Sequence, residues 1–218
     1  MKWKTDLLKD IRFGDERDTS EAYPRFYKDY LPEYFQVNEI QNGGSFSECN
    51  KAQMENVLKS IQDTCKCIVE IGVDRRTKSI KRTSTETILD KKSNDVLYLG
   101  IDLKDKSYLN NSAKNVYTLQ IQSENTDQII SYLNSLGKNQ IDFLFIDGFH
   151  SVNQVYLDWE LTRILSPNGV VGFHDTAYHP GPHLFVKNMD RTKWKVFENC
   201  CNHTPDDYGI GFAWKISN

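Results

Sequence analysis

The chain has 218 residues, enough for one full-sized domain with a substantial core. Its formal net charge of -3 and pI near 6.0 provide no basic field, which argues against duplex nucleic acid or an anionic membrane as a partner. The five cysteines (Cys49, Cys65, Cys67, Cys200 and Cys201) are odd in number and lack repeated CxxC spacing, so reduced thiols are expected rather than a disulfide framework or a zinc ribbon.

The opening MKWKTDLLKD lacks the apolar stretch of a signal peptide, and no run approaches the roughly 18 apolar residues of a membrane span, so a soluble, cytoplasmic protein is expected. Within residues 1–63, Tyr23, Phe26, Tyr27, Tyr30 and Tyr34 form an aromatic helical stripe broken near Pro32. Asn42-Gly43-Gly44-Ser45 then marks a loop before a helix over about Asn50 to Ile61. From residue 64 to 218, short β-branched or aromatic runs alternate with helical patterns, the signature of a mostly parallel sheet covered on both faces.

The predicted strands are Cys67 to Ile71, Val96 to Ile101, Val116 to Ile121, Ile141 to Ile146 and Val170 to His174. A helix carrying Ile129, Ile130, Leu133 and Leu136 on one face, stopped by Gly137, lies between the third and fourth strands. After the fourth strand, Ser151 and Gln154 have capping-box spacing and Val152, Val155, Trp159 and Thr162 follow on a helix. Ser166-Pro167-Asn168-Gly169 ends that helix before the fifth strand. AYHPGPHLF, with His179 and His183, reads as a Pro-Gly-Pro loop at the rim. Trp194 to Asn199 and Ile210 to Ile216 are joined by too few residues for a crossover helix, so that pair is predicted to be antiparallel.

Ligands of an open parallel sheet bind beyond the carboxyl ends of its strands. There the sequence places Glu70-Ile71-Gly72, where the glycine allows close backbone approach and the carboxylate accepts a hydrogen bond, or where both merely form a tight turn with a surface glutamate. Asp102 ends the second strand and suits the two hydroxyls of a ribose. It falls thirty positions after Gly72, and the basic insertion Arg75 to Arg82 accounts for the excess over the usual interval of about twenty. Ser123 reaches an adenine or caps its turn. Asp147 and His174-Asp175 end the fourth and fifth strands; two carboxylates and an imidazole converging there form a divalent-metal site, with magnesium or manganese favoured by the oxygen donors and zinc or iron admitted by the histidine. His150, one turn past Asp147, is placed to act as a general base. The alternative is that Asp147 caps the following helix and His174 is a satisfied core residue.

The order VEIGV, YLGIDL and IDFLFIDGFHSVNQVYLDWELTRILSPNGVVGFHDT resembles the class I S-adenosylmethionine-dependent methyltransferases, and within them the branch of cephalosporin-hydroxylase-like proteins and metal-dependent macrolide sugar O-methyltransferases, which has phage-encoded members. The resemblance spans about residues 64 to 217, and FGDERDTSEAYPRFYKDYLPEYF looks like the cofactor-covering segment that precedes the domain in that branch. It implies a Rossmann-like, doubly wound, mostly parallel seven-stranded sheet with an antiparallel C-terminal strand, preceded by a helical segment. It also implies that Glu70 and Gly72 line the methionine end of the cofactor, that Asp102 holds its ribose and Ser123 borders its adenine. Asp147, His174 and Asp175 would bind magnesium, Asp147 would also border the cofactor, and Asp147 and His150 would be the catalytic pair. Two departures stand out. Val73-Asp74-Arg75-Arg76 replaces the usual second glycine of the first loop, with Thr83-Ser84-Thr85 as later small polar residues, and His174 stands where several metal-dependent relatives have a carboxylate.

The activity expected is O-methylation of a small hydroxylated acceptor, sugar-like or a natural product, with no nucleic-acid or membrane partner and with room for a homo-oligomer. The rival readings are a nicotinamide-dependent oxidoreductase, disfavoured by the lack of GxGxxG, and a non-catalytic nucleoside-binding module.

Overall fold

The computed structural model describes residues 46–74, 83–150, 152–176, 180–198 and 209–216. The aromatic stripe at residues 23–34, the basic insertion 75–82, Ser151, His179 and the Cys200/Cys201 pair lie outside the described residues. In chain order the elements are α1 (Glu48–Ile61), β1 (Cys67–Ile71), α2 (Ser84–Lys91), β2 (Leu97–Asp102), β3 (Val116–Gln120), α3 (Thr126–Ser135), β4 (Ile141–Ile146), α4 (Val152–Trp159), β5 (Leu165–His174), α5 (Pro180–Lys187), β6 (Trp194–Glu198) and β7 (Ile210–Lys215).

These strands form one seven-stranded sheet in the order β3-β2-β1-β4-β5-β7-β6. Pairing is parallel from β3 through β5, and β7 runs antiparallel to both of its neighbours. That is the Rossmann-like topology expected. Strand alternation sorts the core into two layers. Val69, Ile71, Leu99, Ile101, Leu144, Ile146 and Phe173 pack against Ile129 and Leu133 of α3, Val155 and Trp159 of α4 and Phe185 of α5. Ile68, Tyr98, Phe143, Phe145 and Val170 face the other way, against Met54, Val57 and Leu58 of α1 and Ile88 of α2. Because the sheet is sandwiched, its central strands can be apolar on both faces, and all five residues of β1 are buried. Trp159 closes the first layer, its ring centroid 4.7 Å from that of Trp194, 5.3 Å from Phe185 and 5.8 Å from Phe173.

Local signals account for several boundaries. Ser47 caps α1 by accepting from the Asn50 amide at 3.0 Å. Gly137, at φ +75°, ends α3, and the Lys138 amide donates back to the Leu133 carbonyl at 3.0 Å. Three stretches differ from the sequence reading. Ser84–Lys91 is a helix, capped by Thr83, where the sequence reading assigned no element and noted only the small polar residues Thr83-Ser84-Thr85. The Pro-Gly-Pro stretch is the first turn of α5 rather than a loop, because the amides of a first helical turn have no intrahelical partner and prolines there sacrifice nothing. β5 starts at Leu165: Ile141 pairs with Leu165, and a register shift before Phe143 lets Pro167 and Asn168 bulge into solvent. Among the described residues no helix is long and apolar enough to cross a membrane.

Candidate active site at the strand ends

β4 and β5 are parallel neighbours with Ile146 in register with Phe173, so the next residue of each, Asp147 and His174, stand side by side. His174 Nδ1 lies 3.1 Å from Asp147 Oδ1 and 3.1 Å from Asp175 Oδ1. Asp175 adopts φ +60°, a left-handed conformation that aspartate tolerates better than most residues and that is a common mark of functional turns. His150 approaches from the start of α4, with Nε2 2.7 Å from Asp175 Oδ2 and 3.6 Å from Asp147 Oδ1. Its backbone carbonyl accepts from the Gly181 amide of α5 at 3.1 Å, which ties this loop to the α5 N-terminus.

Burial pulls the His174 pKa down, but the Asp175 and Asp147 carboxylates outweigh it and hold the imidazole well above its ordinary value. Burial likewise raises Asp175, and the adjacent His174 and His150 overcome it and hold this carboxyl well below the usual range. His174 Nδ1 thus sits between two carboxylates, at a place where positive charge is favoured.

The donor set fits a divalent metal. One atom each from Asp147, His174 and Asp175 lies within 4.8 Å of the others. Adjacent ligands at about 2.1 Å around an octahedral ion are about 3 Å apart, close to the two 3.1 Å spacings to His174 Nδ1. Asp175 can serve two partners, Oδ1 toward His174 and Oδ2 toward His150. His183 does not join this cluster; its Nδ1 is 3.0 Å from the Thr176 carbonyl, and burial lowers its pKa.

At the ends of β1 and β2 the predicted residues are brought together, but with different neighbours than expected. The space that a Gly72 side chain would occupy is filled by the Asp147 carbonyl, 2.0 Å from an added Cβ, so this glycine, at φ +83°, is required by the close approach of the β1 and β4 ends. Glu70 is not a surface glutamate: it is 0% exposed, accepts from Ser84 Oγ at 2.6 Å and from the Tyr98 hydroxyl, and burial pushes its pKa up to about 7. Asp102 accepts from the Val73 amide at 2.9 Å and the Lys104 amide at 2.8 Å, one through each carboxylate oxygen, with Lys106 Nζ 3.7 Å away. Each oxygen has a second lone pair for a further donor. Ser123 Oγ accepts from Gln154 Nε2 at 3.1 Å, and Gln154 also donates to the fully buried Asp158, whose pKa burial raises to about 6.

Glu70 makes a stability prediction. Its folded pKa, about 7, lies above that of a free glutamate, so its contribution is complete below about pH 4.5 and is lost as pH rises toward 7. The full change is on the order of 3 kcal/mol. Glu70→Gln, which stays neutral, is expected to raise the thermal midpoint at pH 8 and to leave it nearly unchanged at pH 5. An equal effect at both pH values would show that Glu70 does not titrate in this range.

Ser84, one of the small polar residues noted after the first loop, meets Glu70 because α2 folds over β1. One residue of this neighbourhood was not singled out from the sequence. Asn50 lies on the buried stripe Asn50, Met54, Val57 and Leu58 of α1, and its Nδ2 is 3.4 Å from His174 Nε2. A polar residue at a core position of an amphipathic helix was the available signal.

The sheet order gathers the acidic strand ends at the carboxyl edge of the parallel strands, where open α/β sheets bind their ligands. The model of the methyltransferase-domain family matches residues 51–176, more than half of the chain, and the chain belongs to this family. That membership in a methyltransferase-domain family sets aside the nicotinamide-dependent oxidoreductase reading.

Solved structures with a similar fold include the MycE methyltransferase of the mycinamycin biosynthetic pathway in complex with Mg, SAH and mycinamycin VI, at 14% identity and TM-score 0.54, covering 88% of this chain and 54% of that one. The chain thus spans about half the length of MycE. Another is the O-methyltransferase TomG from Streptomyces achromogenes, involved in tomaymycin synthesis, in complex with SAM, at 14% identity and TM-score 0.54 with 100% of both chains covered. No curated protein sequence matches the chain.

Proposed function

We propose that this methyltransferase is an O-methyltransferase for a small hydroxylated acceptor, sugar-like or a natural product, assisted by a divalent metal. The observation that carries this reading is the convergence of Asp147, His174 and Asp175 with His150 beside them. The magnesium and mycinamycin VI in the MycE complex and the O-methyltransferase activity named for TomG support the same chemistry.

Asp102 would receive the ribose hydroxyls, and Gly72, Asp147 and Ser123 would border the methionine and adenine ends of the cofactor. Glu70 would act from behind, fixing the start of α2 through Ser84. Asp147, His174 and Asp175 would hold the metal, which would supply a Lewis acid that lowers the acceptor hydroxyl pKa. His150 directs Nε2 at Asp175, so Nδ1 is the ring atom that would take the acceptor proton; Asp175 stabilises the imidazolium that results. Positioning of the hydroxyl for in-line attack on the sulfonium methyl supplies much of the remaining rate.

The test is calorimetric titration of metal-stripped protein with S-adenosylhomocysteine, alone and with magnesium or manganese. One-to-one cofactor binding is expected, together with manganese binding at least tenfold tighter than magnesium, because a nitrogen ligand favours transition ions. Asp147→Ala should lose the metal. Cofactor binding by a wild type that takes up neither ion would end the metal-assisted reading.

A further inference from the structure

We propose that Asn50 is a positioning residue for the metal site: its side-chain carbonyl accepts the proton on His174 Nε2 and thereby presents an unprotonated Nδ1 to a divalent cation held with Asp147 and Asp175. The proposal rests on the metal-assisted reading above.

Asn50 is 0% exposed, and its Oδ1 is buried with no hydrogen-bond partner among the described residues. Its Nδ2 faces His174 Nε2 at 3.4 Å, a long contact. Rotating the amide by half a turn exchanges its oxygen and nitrogen at almost no steric cost. The carbonyl then meets Nε2 and accepts its proton if Nε2 carries one, a pairing of donor with acceptor that the unrotated amide makes only with an unprotonated Nε2, while the NH₂ turns to the place the oxygen held. The imidazole is fixed in this orientation by Phe46 and Phe145, with ring centroids 5.4 and 6.4 Å away, so its two nitrogens have separate duties. Nδ1 points at the carboxylates and Nε2 at α1. A metal on Nδ1 requires the proton on Nε2, and Asn50 is the residue placed to receive it. Both occupants of the pocket, ion and amide oxygen, thus favour the same tautomer.

Metal-stripped full-length wild type, Asn50→Leu and Asn50→Asp are titrated with Mn²⁺ alone, and S-adenosylhomocysteine affinity is measured in parallel. Ring ¹⁵N spectra of the wild type loaded with diamagnetic Zn²⁺ report which His174 nitrogen keeps its proton. Asn50→Leu is expected to bind Mn²⁺ about 10- to 100-fold more weakly, with cofactor affinity within about twofold of wild type, whereas Asn50→Asp, which keeps an acceptor, stays close to wild type. The spectra should show Nε2–H and a metal-bound Nδ1.

Equal Mn²⁺ affinity of wild type and Asn50→Leu would overturn the proposal alone, as would a zinc-bound Nε2. An Asn50→Asp variant as weak as Asn50→Leu would also overturn it, in favour of a packing role. If Asn50→Leu does not fold, the Asn50→Asp titration and the wild-type spectra still decide. A wild type that binds the cofactor but no Mn²⁺ removes the metal-assisted reading itself, and this inference with it.

Discussion

His150→Gln is expected to lower kcat for methyl transfer by about 10²- to 10⁴-fold, the range that one positioned general base supplies. Cofactor affinity should change little. Glutamine can still reach Asp175 and donate to its carboxylate, so the contact at 2.7 Å in the wild type need not be lost, but an amide takes up no proton near neutral pH. The loop should also persist, since it is tied by the His150 backbone carbonyl, which accepts from Gly181 whatever the side chain. The measurement is formation of S-adenosylhomocysteine with a hydroxylated acceptor that the wild type turns over. Full turnover by the variant would remove His150 from proton transfer while leaving the roles proposed for Asp147, His174 and Asp175 and the fold untouched.

Asp102→Ala is expected to weaken S-adenosylhomocysteine binding by at least about 100-fold. Two hydrogen bonds from ribose hydroxyls to a charged acceptor contribute about 3 kcal/mol or more, which is two decades or more in Kd. The same carboxylate also receives the Val73 and Lys104 amides, so alanine frees the chain on both sides of the proposed cofactor site. Asp102→Asn separates these contributions: it keeps one acceptor oxygen, and its affinity should fall between alanine and wild type. Calorimetric titration checks both variants, and thermal unfolding shows whether either has lost the fold. An Asp102→Ala protein that is folded and binds the cofactor as the wild type does would refute the ribose assignment.

The apolar runs along β1, β4 and β5 were legible because a strand buried on both faces needs apolar side chains at consecutive positions. Glycine at the end of α3 was legible for an equally local reason, the left-handed residue that closes a helix. The polar ends of β4 and β5 stood out since Asp147, His150, His174 and Asp175 directly adjoin apolar runs, and the ordinary rule for parallel sheets says where such ends lie. Local pattern took the start of α5 for a loop and left α2 unassigned, since their prolines, serine and threonines favour turns in isolation and become helical where first-turn amides need no partner.

The remaining features depend on contacts between residues far apart in the chain. Glu70 became an interior carboxyl because α2 and Tyr98 cover it, and Gly72 is required by the close approach of the Asp147 carbonyl. The Asn50–His174 contact joins residues 124 positions apart, and neither neighbourhood alone announces it. By itself the sequence determined the strands and the chemical character of their ends, since both follow from short-range periodicity and residue type. Which nitrogen of His174 faces which partner, and which carboxylate oxygen of Asp175 serves His150, was decided only when packing fixed the rings and strands against one another, because hydrogen bonds and ligand geometry change over tenths of an ångström.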